Sequence, residues 1–201
     1  MASSSAISDN HRAALDKLKA ELGSGAESGL GDDVKMAYSN VNAQPSQATT
    51  RACMLNDGVG TITLHDYKDW SGKVFGSYPP SIPMTRSGKS THRGVPPKDS
   101  QGSMGAVVYV GSNVQGQPNN CAWVLAWWVA GDGSSNKIYV ETGPCSKYPK
   151  NKIDWDSIKD MLMNSINESN HRDDDTGAEA SAKIDETGNI PACAVVFDVT
   201  L

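Results

Sequence analysis

A chain of 201 residues, 38% hydrophobic and 20% charged with a mean hydropathy of −0.45, has apolar material for one ordinary core and too little for life within a bilayer. A net charge of −5 and a pI near 5.3 disfavour a phosphate backbone as partner, so no nucleic acid is expected. Four cysteines without a CxxC pair (Cys53, Cys121, Cys145, Cys193) supply neither a disulfide scaffold nor a zinc site; buried thiols are expected, with Cys145 in its Gly-Pro loop the most exposed.

The first five residues, Met1-Ala2-Ser3-Ser4-Ser5, carry no basic or apolar signal region, so a cytoplasmic location, or export without a signal peptide, is expected. Ser8-Asp9 followed by Ala13, Ala14, Leu15, Leu18 and Leu22 predicts an amphipathic helix stopped by Gly23, and the Gly/Ser-rich stretch over 23–31 reads as a tether. From 52 the texture becomes short β-prone runs. Residues 52–55, the turn Asn56-Asp57-Gly58 and residues 61–64 predict a hairpin. Residues 76–102, rich in Gly, Pro, Ser and Thr, read as long loops around at most one edge strand.

Two strong strands follow over 106–110 and 122–130. In the second, Trp123, Leu125, Trp127 and Val129 share one face and Ala122, Val124, Ala126, Trp128 and Ala130 the other; both faces are apolar, so the strand is central or one end of it emerges at a binding surface. Another strand is expected over 137–141. Asp154 is placed to cap a helix whose Trp155, Ile158, Met161, Leu162 and Ile166 recur at helical spacing. Residues 193–201 alternate as a half-buried strand. The chain reads as a single domain over 1–201, with a helix and tether over 1–31 and a β-rich sandwich core over 51–201, carrying two helices.

Catalytic and metal chemistry find little support. Gly88-Lys89-Ser90-Thr91 has the tail of a phosphate loop, but Pro83 stands where its first glycine belongs and no strand precedes it. Asp173-Asp174-Asp175 lacks a closing glutamate, Ile184 standing there, and reads as a solvated acidic loop. His11, His65, His92 and His171 are scattered, so neither a metal site nor a serine triad can be assembled from their spacing. Neither enzyme, metal nor cofactor is therefore expected. Asn167-Glu168-Ser169 is a formal glycosylation sequon.

Aromatic placement remains. Five tryptophans and six tyrosines outnumber two phenylalanines, and rings with polar tips suit a boundary between an apolar and a wet phase. Trp70, Tyr78, Trp128, Tyr139 and Tyr148 stand beside predicted turns. They are either ordinary core and rim aromatics or an interface.

Residues 102–109 (GSMGAVVY) and 123–132 (WVLAWWVAGD) resemble the actinoporin-like group. There a Gly-rich turn leads into an apolar strand ending in Tyr, then a second ending Phe-Ser-Val-Pro-Tyr-Asp, then an aromatic turn into a strand ending in Tyr. Trp127 takes the place of the Phe, while Val129, Asp132 and Tyr139 match. Plant jasmonate-induced proteins look closer still, through Tyr78-Pro79, Ala126-Trp127, Asp132-Gly133 and Asn136-Lys137-x-Tyr139. Length, the Met-Ala start and the pattern together point to a fungal member of the group that binds sphingomyelin with cholesterol.

The resemblance implies an actinoporin-like β-sandwich flanked by two helices, with a phosphocholine site at a membrane-facing end. Tyr78, Trp128, Asp132, Tyr139 and Tyr148 are then the ligand-binding candidates, and Trp70, Tyr78 and Trp128 the membrane contacts. Asp132 serves equally well as a cap of its own turn. Trp128 and Ala130 stand where actinoporins have Ser and Pro, so the headgroup contacts differ from the standard set. The implied function is binding to sphingomyelin/cholesterol membranes as a peripheral protein, with assembly there open. The alternatives are an actinoporin-like pore former and a sugar-binding lectin. Six charged or titratable residues among three leucines suit the first helix to docking better than to spanning.

Overall fold

The computed structural model describes residues 6–23, 47–94 and 102–200; the expected tether over 24–31 lies outside them. Helix α1 (Asp9–Gly23) is followed by strands β1 (Thr49–Asn56), β2 (Ile62–Ser71), β3 (Lys73–Phe75), β4 (Ser81–Ile82), β5 (Arg86–Arg93), β6 (Ser103–Gly111), β7 (Cys121–Val129) and β8 (Lys137–Pro144). Helix α2 (Trp155–Met163) then precedes β9 (Glu168–Arg172), β10 (Ala178–Ile184) and β11 (Ala192–Val199). The strands form a six-stranded sheet, β3-β5-β1-β11-β10-β9, and a five-stranded sheet, β4-β2-β6-β7-β8. The fold is mainly β, a sandwich with a helix on the outer face of each sheet.

The alternation along β7 decides where its side chains go. Trp123, Leu125, Trp127 and Val129 enter the core between the sheets with Met54, Val107, Tyr109 and Phe197, whereas Ala122, Val124 and Ala126 face outward beneath α2. Both Trp123 and Trp127 are almost wholly buried. The Trp123 indole N–H donates to the carbonyls of Glu179 and Asp198, each at 3.1 Å, which ties this strand across the sandwich.

Each helix closes one outer face. Asp154 caps α2 by accepting from the Ser157 N–H at 3.0 Å, and Ile158 and Leu162 are buried. The helix ends at Met163, so Ile166, expected on it, stands outside, 68% exposed. In α1, Leu15, Leu18 and Leu22 pack on Cys53, Ala194 and Val196. His11 sits within the same contact, its Nδ1 2.9 Å from Ser181 Oγ and its Nε2 3.2 Å from Asp198 Oδ2.

Three expectations are corrected. β1 and β2 do not form a hairpin: β1 pairs with β5 and, in parallel, with β11, while β2 pairs with β4 and β6 in the other sheet. The turn between them winds around buried Asn56, whose Nδ2 donates to the carbonyls of Gly60 at 2.7 Å and Ile82 at 2.8 Å, and this carries the chain across the sandwich. The described residues of 76–102 hold two strands, β4 and β5, and β5 lies inside its sheet, not at an edge. Its polar sequence hides it. At Gly88 a Cβ would stand 2.8 Å from Pro79 Cγ, so closeness there depends on the missing side chain. Finally, β11 is buried on both faces through Phe197, because α1 covers the side expected to meet solvent.

Candidate functional site

On the outer face of the five-stranded sheet, Ala106, Val108, Ala122, Val124 and Ala126 form a floor of small side chains. Ile158 and Leu162 of α2 cover part of it, and Trp70, Trp128, Tyr139 and Trp155 stand around it partly buried, with Tyr148 buried. Two irregularities in β2 contribute. Its register against β6 shifts between Leu64 and Asp66 and again between Asp69 and Ser71, leaving His65 and Trp70 as the additional residues. Bulges re-aim side chains in this way. His65 Nε2 lies 2.9 Å from the Tyr148 carbonyl oxygen, and Trp70 meets Trp155 edge to face with centroids 6.4 Å apart.

The layer already accommodates cations. Lys137 Nζ stands 5.8 Å from the centre of the Trp128 ring, and Lys147 Nζ 5.5 Å from that of Tyr148 while pairing with Glu141. Trp70 Nε1 is buried with no hydrogen-bond partner. A donor so placed costs about 1–3 kcal/mol until an acceptor reaches it. The Tyr148 hydroxyl is likewise buried, with Glu141 beside it. Burial, then the charge of Glu141, pushes its phenol up, and burial does the same at Tyr139, so both hydroxyls keep their protons as donors.

The structure gathers Trp70, Trp128, Tyr139 and Tyr148 into this one layer. Trp70 and Trp128 share one end of it, since neighbouring Ser71 pairs with Met104 and Met104 with Trp128. Tyr148 stands nearer the other, beside Gly143. Tyr78 is separated from them. It faces between the sheets, 3% exposed, donates to Asp69 Oδ1 at 2.7 Å and packs against Trp127. Asp132 lies exposed on the β7–β8 turn, where its Oδ1 accepts from the Ser134 N–H at 2.9 Å; that bond holds its carboxyl below the usual range and is the bond of a turn cap.

Sequence reasoning missed a polar cluster inside the same end of the sandwich. His92 Nδ1 is 2.7 Å from Ser103 Oγ, and His92 Nε2 is 3.4 Å from Asp69 Oδ1. Burial works against the Asp69 carboxylate, but the bonds from His92 and Tyr78 outweigh it and keep the group ionised below its ordinary range. A serine, a histidine and an aspartate in reach of one another are the parts of a nucleophilic triad. Ser103 is fully buried, however, and its hydroxyl is also bonded to Thr50 Oγ1 at 2.8 Å, so no substrate carbonyl can approach it. Widely spaced in sequence, these residues carry no local motif. Among the described residues, no group of three or more His, Cys, Asp or Glu is placed to hold a metal ion, and no helix is long and apolar enough to cross a membrane.

A β-sandwich with an aromatic outer layer is thus the class that fold and site define. No family model matches the chain. It is 36% identical over 165 residues to a jasmonate-induced protein homolog from Atriplex canescens, covering 80% of this chain and 84% of that protein. The chain belongs to the family of jasmonate-induced proteins. Among solved structures it is similar to that of the lipid binding protein Nakanori, with a TM-score of 0.67 over 91% of this chain and 86% of the other. At 16% identity that likeness is one of fold. Neither protein carries a name that denotes a catalytic activity.

Proposed function

We propose that the protein binds membrane lipid peripherally, recognising sphingomyelin together with cholesterol through the aromatic outer layer of its five-stranded sheet, without efficient lysis. The observation that carries this reading is the partly exposed group Trp70, Trp128, Tyr139 and Trp155 around a floor of small side chains, with the buried Trp70 N–H awaiting an acceptor. A quaternary ammonium resting on such rings contributes about 1–2 kcal/mol when desolvated. The Lys137 ammonium already beside Trp128 marks one ring that takes a cation. Phosphate oxygens accept from Trp70 Nε1 at the end it shares with Trp128. Tyr78 acts from behind, fixing Asp69 one residue before Trp70. A shared fold with a protein described as lipid binding supports the assignment.

The docking of α1 supports binding over pore formation, because its three leucines are already buried against the protein. Co-sedimentation with vesicles of phosphatidylcholine, of sphingomyelin, and of sphingomyelin with cholesterol tests the reading. Binding should rise in that order. Equal binding to all three removes the selectivity, and binding to none removes the function. In the last case a glycan array tests the lectin alternative.

A further inference from the structure

Along one side of the sandwich the seam between the two sheets is closed largely by side chains. Among the described residues β8 is the last strand of the five-stranded sheet and β9 the last of the six-stranded one. Every second N–H on the free edge of β8 is nevertheless bonded. Ile138 N donates to the Ile166 carbonyl oxygen at 2.9 Å, Val140 N to Ser169 Oγ at 3.1 Å and Thr142 N to His171 Nδ1 at 3.1 Å. Open N–H groups on an edge strand invite pairing with another chain, and these three bonds blunt that edge.

Of the three acceptors, a carbonyl, a hydroxyl and an imidazole, only the imidazole gains a proton near neutral pH. A main-chain N–H aimed at Nδ1 requires a lone pair there, so the neutral His171 ring carries its hydrogen on Nε2. The Thr142 hydroxyl, 2.9 Å from the same Nδ1, has a second acceptor for its single hydrogen in the Ala178 carbonyl oxygen, also at 2.9 Å. A proton added to Nδ1 turns the acceptor into a donor. The hydroxyl oxygen can take the new hydrogen, but the Thr142 amide then faces another hydrogen and loses its partner. Around the ring stand Glu141 of β8, Lys147 of the following turn, and Asp173 and Asp174 of the β9–β10 turn, while β10 presents the uncharged Ala180 as cross-strand partner. Burial, the largest influence, and Lys147 disfavour the charged ring, the three carboxylates favour it, and the balance holds its pKa below 6.5.

We propose that His171 is a proton-operated latch of this seam: neutral, it closes the Thr142 end of β8 against β9; protonated, it releases that end and the adjoining turns over 145–147 and 173–177, while the Ile138 and Val140 bonds hold. A histidine disfavoured as a cation in the folded chain contributes stability above its unfolded pKa, and the contribution is lost as pH falls through the folded value. His11 on α1 responds in the opposite sense, so overall stability mixes the two and the latch is read at its own amide. Thr142 lies toward the Gly143 and Tyr148 end of β8, whereas Trp128 pairs with Lys137 at the other. The latch is therefore independent of the sphingomyelin reading.

The test follows the histidine ring nitrogens and amide hydrogen exchange of the full chain by NMR, from neutral to mildly acid buffer. At neutral pH the His171 ring should carry its hydrogen on Nε2. As the ring titrates, the protection factor of the Thr142 amide should fall about tenfold for each pH unit below the ring's pKa, while the Ile138 and Val140 amides keep theirs. His171→Asn offers a carbonyl oxygen to the same amide and does not titrate, so protection should persist into acid. His171→Phe offers no acceptor and should lose it at every pH. Should His171→Phe fail to fold, His171→Asn decides the matter. A hydrogen on Nδ1 at neutral pH, Thr142 protection that is constant while the ring titrates, equal loss at all three amides, or the parent's acid dependence retained in His171→Asn would each overturn the proposal.

Discussion

His92 Nδ1 lies 2.7 Å from Ser103 Oγ, and this contact joins the two sheets of the sandwich. His92 belongs to β5 of one sheet and Ser103 to β6 of the other; Thr50 of β1 and Asp69 of β2 extend the bond to a four-strand cluster. It lies directly behind the end that carries Trp70 and Trp128, so rigidity there is supplied from inside. Ser103→Ala leaves His92 Nδ1 and Thr50 Oγ1 without this partner and should cost about 1–3 kcal/mol, read from urea unfolding. Retained stability would show that water or a side-chain shift replaces the bond.

Helix α1 should be held more firmly in acid than in base. His11 is bonded to Asp198 first of all, and against the opposing effect of burial that bond and the charges of Glu179, Asp198 and Asp57 raise its pKa above the ordinary 6.5. A raised folded value means the contribution is fully present below the unfolded pKa and is lost as pH rises through the folded one. Ser181, facing Nδ1, does not titrate in this range. His11→Gln should therefore destabilise by about 1.5–3 kcal/mol in mild acid and by less in mild base, measured as paired urea midpoints across that interval.

Truncating the leucine face of α1 separates docking from insertion. Leu18→Ala, at a position 4% exposed, should cost about 2–5 kcal/mol of stability or release the helix to protease. A variant as stable and as resistant as the parent would place the helix off the sheet in solution.

Trp128→Ala and Trp70→Ala should reduce sphingomyelin/cholesterol binding about five- to thirtyfold, the span of a desolvated cation–π contact, in variants that urea unfolding shows to remain folded. Tyr78→Ala should behave in the opposite way. Its ring is buried against Trp127 and its hydroxyl bonds Asp69, so stability falls first. Lipid binding untouched in both tryptophan variants would remove the aromatic layer from the function.

Calcein release from sphingomyelin/cholesterol vesicles at saturating protein should be slow and incomplete. Insertion of α1 would expose the Leu15, Leu18 and Leu22 contact with β11 and bring charged side chains such as Lys17 and Lys19 toward hydrocarbon, each at about 2.5–3.5 kcal/mol at the bilayer centre. Rapid, complete release would establish pore formation.

The parts legible in sequence were those whose burial is written into a local period. The two-faced alternation of β7, the leucine spacing of α1 and the Asp154 cap of α2 each follow from neighbours a few residues apart. β5 was illegible because Ser87, Gly88 and Ser90 lend it no apolar period; pairing with β1 and β3 makes it a strand. The Asn56 turn imitates a hairpin because local turn chemistry does not say which sheet comes next. At the site, Trp70 and Trp128 stood out as aromatics beside turns, but their shared layer depends on a β2 bulge. The Asp69–His92–Ser103 cluster depends on the β2–β6 pairing and on β5 facing it from the other sheet, which no local spacing encodes.

The parallel pairing of β1 with β11 has a temporal meaning. β1 is the first strand made among the described residues and β11 the last, yet each is the other's neighbour at the centre of the six-stranded sheet. During synthesis β1 must therefore wait with one edge unpaired, and α1 must wait for Ala194 and Val196, until residues 192–199 have emerged. Pairing over so long a separation is slow to find and leaves an open strand edge in the interval. A ribosome stalled shortly before Ala192 should hold a chain with the five-stranded sheet's residues complete and the six-stranded sheet open, a species for chaperones to guard.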